Sequence, residues 1–346
     1  MRHQLLVASC AIGLASAIAQ AAAPEQITIE PSQLKTLATG LRGVEGPTAL
    51  PDGSAIVVEP QGGAVVRVNA NGTRDVVASP GSGVAGTVVG RDGALYVTRI
   101  NLGRLMNGPR PPGAPAAGPG PGAGAGGPPP GGGMQGVTPS PAALLRVDLK
   151  TGAFKELYTR YQGALLKEPN DLIADEWGDI WFTDTGDEGS VYWARPDGSD
   201  IKLMITDVKD VNGIAMAPDR RSFYIAGKCK LLAYTITARG QLKQENGRVA
   251  AREVAALDPQ QCRPDGMKTE ANGDILLAGG NEGLFRYSPK GELVSQTKFT
   301  GISITNFAFG GQDGRTLYLA DRAAGGNMGS GQLQSVSWPR RGTIFR

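Results

Sequence analysis

Glu45 in VEGPTAL, Asn170 in EPNDLIA, Asn212 in VNGIAMA and Asp265 in RPDGMKT each place a side-chain oxygen just ahead of a short apolar run. Asn306 in TNFAFGG is a further instance, whereas VAGTVVG, in the same place of another repeat, offers nothing comparable. Two carboxylates with several carboxamides, and no sulfur or imidazole, make a donor set for a hard cation. Ca²⁺ suits it, since that ion takes six to eight oxygens and tolerates water among them. Glu45 and Asp265 together would balance a divalent charge. Taken singly, each of these residues reads as ordinary turn chemistry before a strand. Their recurrence at one place in a repeating unit is what makes them a set.

The remaining inventory narrows the chemistry. The one histidine, His3, and Cys10 lie in an N-terminal stretch with a basic start, an apolar run from Leu5 and a small-residue Ala19-Gln20-Ala21 site. This reads as a signal peptide over residues 1–23, and export to the periplasm or outside the cell is expected. A mature chain starting at 24 would hold no imidazole, which removes Ser-His-Asp and Cys-His nucleophiles and His-ligated metals. It would keep Cys229 and Cys262, an even number suited to an oxidising compartment. The chain has 346 residues, is 40% hydrophobic and carries a formal charge of +3 without a basic cluster. That supports a sizeable core and argues against a nucleic-acid surface.

The elements that must position these oxygens repeat. PDGSAIVVE, RDGALYVTR, EWGDIWFTD, PDRRSFYIA, ANGDILLAG and QDGRTLYLA each couple turn residues to a β-rich run. An apolar strand precedes each, and a third and usually a fourth follow. Four strands per unit and six units, spaced by roughly 40 to 50 residues, specify an all-β, six-bladed β-propeller. The last unit lacks an outer strand, which EQITIEPSQLKTLATGL at the N-terminus is expected to supply, closing the ring. Residues 24–346 thus form one domain. Residues 106–141 are Pro/Gly-rich and are expected to be a disordered insert within blade 2, acting as a loose lid or an inert spacer. In a propeller the start of each innermost strand opens on one mouth of the central channel, so Glu45, Asn170, Asn212, Asp265 and Asn306 converge there. Cys229 and Cys262 fall in loops of neighbouring blades on that face; a disulfide buttressing Asp265 is favoured over two free thiols.

The stretches EGP, PNDL, NGIAMAPDRRSFYIA, RPDGM and AFGGQDGRTLYLA resemble the SMP-30/gluconolactonase/LRE family over nearly all of residues 24–346 outside the insert. The resemblance implies a divalent ion, calcium foremost, on Glu45, Asn170, Asn212 and Asp265, and hydrolysis of a small-molecule lactone or related ester. Asp265 is expected to serve as ligand and general base, with direct attack by Asp265 as the variant. Where the family carries an Arg-x-Asn-Asp-Gly-Lys stretch for sugar hydroxyls, this chain has GSGVAGTVVGRDG, so aldonolactone specificity does not carry over. Arg99 and Asn101, at the top end of a blade 2 strand, are candidate substrate contacts in its stead. Asp184 is a candidate for orienting a ligand or water, or else caps its own turn. The alternative from another class is a non-catalytic ligand-binding propeller.

Overall fold

The computed structural model describes residues 23–102, 140–185, 188–258, 262, 264–322 and 330–344. The expected signal peptide and nearly all of the insert at 106–141 lie outside them. Each blade is a sheet with strands A to D running outward from the axis. The innermost strands are Glu45–Ala49, Val84–Val89, Pro169–Ala174, Ile214–Met216, Met267–Thr269 and Ile304–Gly310. Each packs against the next, and Ile304–Gly310 returns to Glu45–Ala49, which closes the ring. No helix among the described residues is long and apolar enough to cross a membrane.

The A–B hairpins show why the repeat is legible. Gly53, Gly93, Gly178, Gly273 and Gly314 take φ between 72° and 95° at the same turn position, and in blade 4 Arg220 takes it at 58°. Only glycine adopts this region without a Cβ penalty, so Arg220 marks the one blade whose turn lost its glycine. A nearby Asp or Asn stabilises every one of these turns by accepting a backbone N–H, as Asp52 does from Ser54 and Asp219 from Arg221.

The apolar faces meet between blades, one buried cluster per neighbouring pair. Trp181 of blade 3 packs on Phe223 of blade 4 with ring centroids 5.2 Å apart. The closing seam joins Val57 and Val66 of blade 1 to Tyr318 and Leu333 of blade 6. Closure uses the N-terminal strand Lys35–Leu41, which pairs antiparallel with Gly331–Ser337 as the outer strand of blade 6. The rest of that segment does something the repeat did not predict. Glu25–Ile29 adds to blade 5 as a fifth strand, parallel to Leu293–Phe299. Blade 4 also carries an extra hairpin, Gln244–Glu245 with Arg248–Val249, turned by Asn246-Gly247. Its polar residues bury little, so hydrophobic pattern alone does not reveal it.

At the opposite end from the strand starts, the C-terminal segment straps the ring. Thr343 N–H donates to Thr269 O at 2.9 Å. Beneath it Glu270 is fully buried and accepts from Trp338 Nε1 at 2.6 Å. Burial pushes its carboxyl up to about 7 despite Trp338 and Arg340. Between the ordinary carboxylate range and about 7 the folded chain therefore holds a proton that the unfolded chain releases, and stability falls as pH rises through that window. Glu270→Gln is expected to flatten this dependence, on the order of 2 kcal/mol between pH 4.5 and 7, in denaturant titrations.

Candidate metal centre at the channel mouth

The A–B ladders fix which residues stand level at the mouth. Ala49, Val89, Ala174, Met216, Thr269 and Phe309 each pair with the first residue of a B strand or its equivalent. Four residues ahead of them stand Glu45, Ala85, Asn170, Asn212, Asp265 and Thr305. The ring of oxygens therefore includes the four expected ligands, with Thr305 in the sixth blade. Asn306 is one residue out of register. Its carboxamide is used by the Phe307 N–H at 2.9 Å and by Lys268 Nζ at 3.3 Å.

Specific contacts hold this ring. The Thr183 hydroxyl accepts from Asp171 N–H at 3.1 Å and donates to Asn212 O of the next blade at 2.6 Å. Thr98 repeats the device, accepting from Gly86 N–H at 2.8 Å and donating to Asn170 O. Asp265 is tied by its N–H to Ala278 O, and Gly266 N–H to Thr305 O, each at 2.8 Å. Glycine follows Glu45, Ala85, Asn212 and Asp265 at this level because the next blade leaves no room. A Cβ on Gly213 would lie 2.4 Å from Asp265 O.

Burial and neighbouring carboxylates raise the carboxyls of this ring. Burial raises the Glu45 carboxyl, Arg322 and Thr305 draw it down, and Asp171 raises it further. Asp265 is raised well above the ordinary range by burial and then by Glu45 and Asp171, against Arg322 and a hydrogen bond from the Asn212 side chain. Asp265 keeps some solvent contact through the mouth while the surrounding protein strips most of its hydration. Asp171 is 2% exposed, and its Oδ2 has no hydrogen-bond partner, the nearest cation being Lys268 Nζ at 3.7 Å. Thr305 Oγ1 is also buried without a well-formed hydrogen bond. Below the ring the channel continues as a cavity of about 160 Å³ walled by Thr48, Val88, Ile173, Ala215 and Lys268.

The fit to a divalent ion can be judged from these groups. Among the described residues no three Asp, Glu, His or Cys side chains gather closely enough to cage an ion by themselves. The carboxamides of Asn170 and Asn212 must complete the set. An orphaned buried carboxylate oxygen and carboxyls raised by burial and neighbouring carboxylates are what a hard cation relieves, so the residues fit one.

Other expected residues lie elsewhere. Arg99 is 2% exposed and clamps blade 2, donating to Pro80 O at 2.6 Å and Pro141 O at 2.7 Å and pairing with Glu156. Those contacts occupy its guanidinium, so it is a structural clamp, not the substrate contact expected of it. Asn101 follows it, half-buried, at the edge of the described residues. Asp184 accepts from Lys167 and Glu168 N–H at 3.0 and 2.7 Å, fixing the loop that delivers Asn170. Cys229 and Cys262 are joined as a disulfide. Reasoning from sequence passed over Asp171, Thr305 and Arg322. Asp171 adjoins Asn170 in the very motif that drew attention. Arg322 follows strand B of blade 6, whose B–C loop opens on the same face, and its Nη2 lies 2.8 Å from Glu45 Oε1.

Comparison with known proteins places this geometry. The profile of the SMP-30/gluconolactonase/LRE-like region matches residues 43–321. A gluconolactonase of Zymomonas mobilis is 25% identical over 203 residues, 51% of this chain and 54% of that protein. The pentonolactonase XacC of Haloferax volcanii is 28% identical over 183 residues, 51% of this chain and 61% of that protein. The chain thus spans little more than half the length of these curated relatives. Among solved structures, the calcium-binding protein regucalcin of Agrobacterium tumefaciens superposes with a TM-score of 0.63 at 19% identity, covering 92% of this chain and 99% of its own. At that identity the likeness speaks for the fold.

Proposed function

The chain belongs to the SMP-30/gluconolactonase/LRE-like family, and from that premise we propose that it hydrolyses a lactone or related ester with a divalent ion, Ca²⁺ foremost, at the channel mouth. One observation carries the reading: the carboxyls of Glu45 and Asp265, at the starts of two innermost strands, are both raised by burial and by neighbouring carboxylates, Asp171 among them, whose Oδ2 is left without a hydrogen bond. Glu45, Asn170, Asn212 and Asp265 would hold the ion, with Thr305 completing the ring. Bound there, the ion would polarise the lactone carbonyl and take up charge developing on its oxygen.

The chain's own groups do the rest. Asp265 takes a proton from water as its oxygen adds to the carbonyl carbon. The Asn212 side chain orients the Asp265 carboxyl. The ring C–O bond then breaks, and the leaving oxygen recovers the proton from Asp265, giving a hydroxy acid. The names of the lactonase relatives and the calcium-binding regucalcin support this reading, and the disulfide supports an exported location.

The test is metal analysis after dialysis, joined to a hydrolysis screen on aldonolactones and aryl esters with and without chelator. One bound divalent ion per chain and a loss of turnover on chelation, restored by Ca²⁺, are expected. A chain that retains no metal and turns over no lactone overturns the proposal and leaves the ligand-binding propeller.

A further inference from the structure

Arg322 brings a cation to the candidate ion site. Its backbone N–H is bound to Ser303 O at 2.9 Å, and the preceding Asp321 is pinned by Ser303 N–H and Gln334 Nε2, each at 3.0 Å. The side chain leaves this rigid corner with 31% exposure and lays its guanidinium on Glu45 Oε1, 2.8 Å away. Glu45 Oε2 accepts from the Gly46 N–H at 3.3 Å. The guanidinium thus occupies one of the two oxygens that Glu45 could offer an ion.

The charge balance gives this arrangement a consequence. Glu45, Asp171 and Asp265 face Arg322 and Lys268, leaving one net negative charge among groups that feel one another. A divalent ion turns that into one net positive charge. It also repels a guanidinium sharing the same carboxylate within about 4–6 Å. Arg322 reaches the solvent-facing mouth, so it can swing off Glu45 without burying an unpaired charge. A guanidinium released beside the reacting centre is a planar fork suited to a carboxylate, sulfonate or phosphate.

We propose that Arg322 is both the stand-in counter-ion of Glu45, displaced when a divalent ion binds, and the receptor for an anionic group on the substrate, so that the preferred substrates are lactones carrying a second, negatively charged group. This deepens the lactonase reading and rests on it.

Calcium titration calorimetry on wild type and Arg322→Gln tests the first half. Removing the competitor is expected to tighten Ca²⁺ binding about tenfold or more. Unchanged or weaker binding overturns the displacement and makes Arg322 a fixed support for Glu45. The second half is read from kcat/KM on a neutral aldonolactone and on the same ring bearing a carboxylate. Wild type is expected to favour the anionic substrate, and Arg322→Gln to lower that preference at least about tenfold. Arg322→Lys, which keeps the charge without the fork, is expected to fall between. Thermal melts of all three proteins check that each is folded. A wild type that binds Ca²⁺ and turns over the neutral lactone without preferring the anionic one overturns this inference alone; a wild type that does neither overturns the lactonase reading with it.

Discussion

Asp265→Ala is expected to lose the bound ion and to lower kcat/KM on any lactone substrate by at least about 10³-fold, because it deletes a ligand and the base together. Asp265→Asn separates the two roles. The carboxamide keeps an oxygen for the ion but takes no proton, so metal content survives in weakened form while kcat falls by about 10²–10⁴. Stability should move the other way. The Asp265 carboxyl is raised well above its ordinary range by burial, Glu45 and Asp171. Its charged form therefore works against the fold at neutral pH, and metal-free Asp265→Ala should be more stable than metal-free wild type there. The sign follows from linkage: a carboxyl whose folded affinity for protons is raised destabilises as pH climbs above the unfolded value. The gap closes in acid, where the carboxyl is neutral in both states. Thermal melts of both proteins in chelator at about pH 3, below the ordinary Asp value, and at pH 7 would show it. Equal melting points at pH 7, with full metal content in Asp265→Ala, would remove Asp265 from the centre.

Much of the arrangement at this mouth was legible because a propeller converts spacing into geometry. Six turn-plus-strand units fixed the axis, and four oxygens at strand starts then had one place to go. The misses have physical causes. Asn306 drew attention by residue type, but the register of Ile304–Gly310 against Thr316–Asp321 shifts at Thr305, between Ile304↔Asp321 and Asn306↔Ala320, in the same stretch where the strands of Glu45 and Asn170 shift, so Thr305 stands at their level. A one-residue slip reverses a side chain's direction, and only the ladder shows it. Arg99 and Arg322 both follow the logic of loops opening at the mouth. Their fates differ because Glu156 and two proline carbonyls capture Arg99 within blade 2, whereas Arg322 meets Glu45 across the closing seam. Such a choice depends on contacts between residues 277 apart in the chain. The strand Glu25–Ile29 was readable as a strand, but its parallel docking on blade 5 was not, since no repeat partner announces it.

Serine at both Cys229 and Cys262 is expected to loosen the fold and the metal site together. The bridge joins residues 33 apart in sequence, and cross-linking a loop of that size is worth about 3–4 kcal/mol through the unfolded chain. Its native-state role is more local. Cys229 sits in a tight turn after Ser222–Gly227, with φ of 52° at Lys228 and 56° at Cys229, and its carbonyl accepts Leu257 N–H at 2.8 Å. Cys262 lies three residues before Asp265 in the loop that enters blade 5. The bridge therefore ties the approach to Asp265 onto the rigid edge of blade 4. Without it, Asp265 still has its own N–H contact to Ala278, the Gly266 contact to Thr305 and the Asn212 side chain, but the loop before it loses its anchor to blade 4. The double variant should then show a denaturation midpoint lowered in proportion to the lost 3–4 kcal/mol and Ca²⁺ binding weakened by about tenfold, the cost of ordering a slack loop around the ion. Reducing agent should reproduce both changes in wild type and neither in the variant. If reduction lowers stability but leaves calcium affinity intact, the inner strands alone position Asp265, and the bridge serves the scaffold rather than the site.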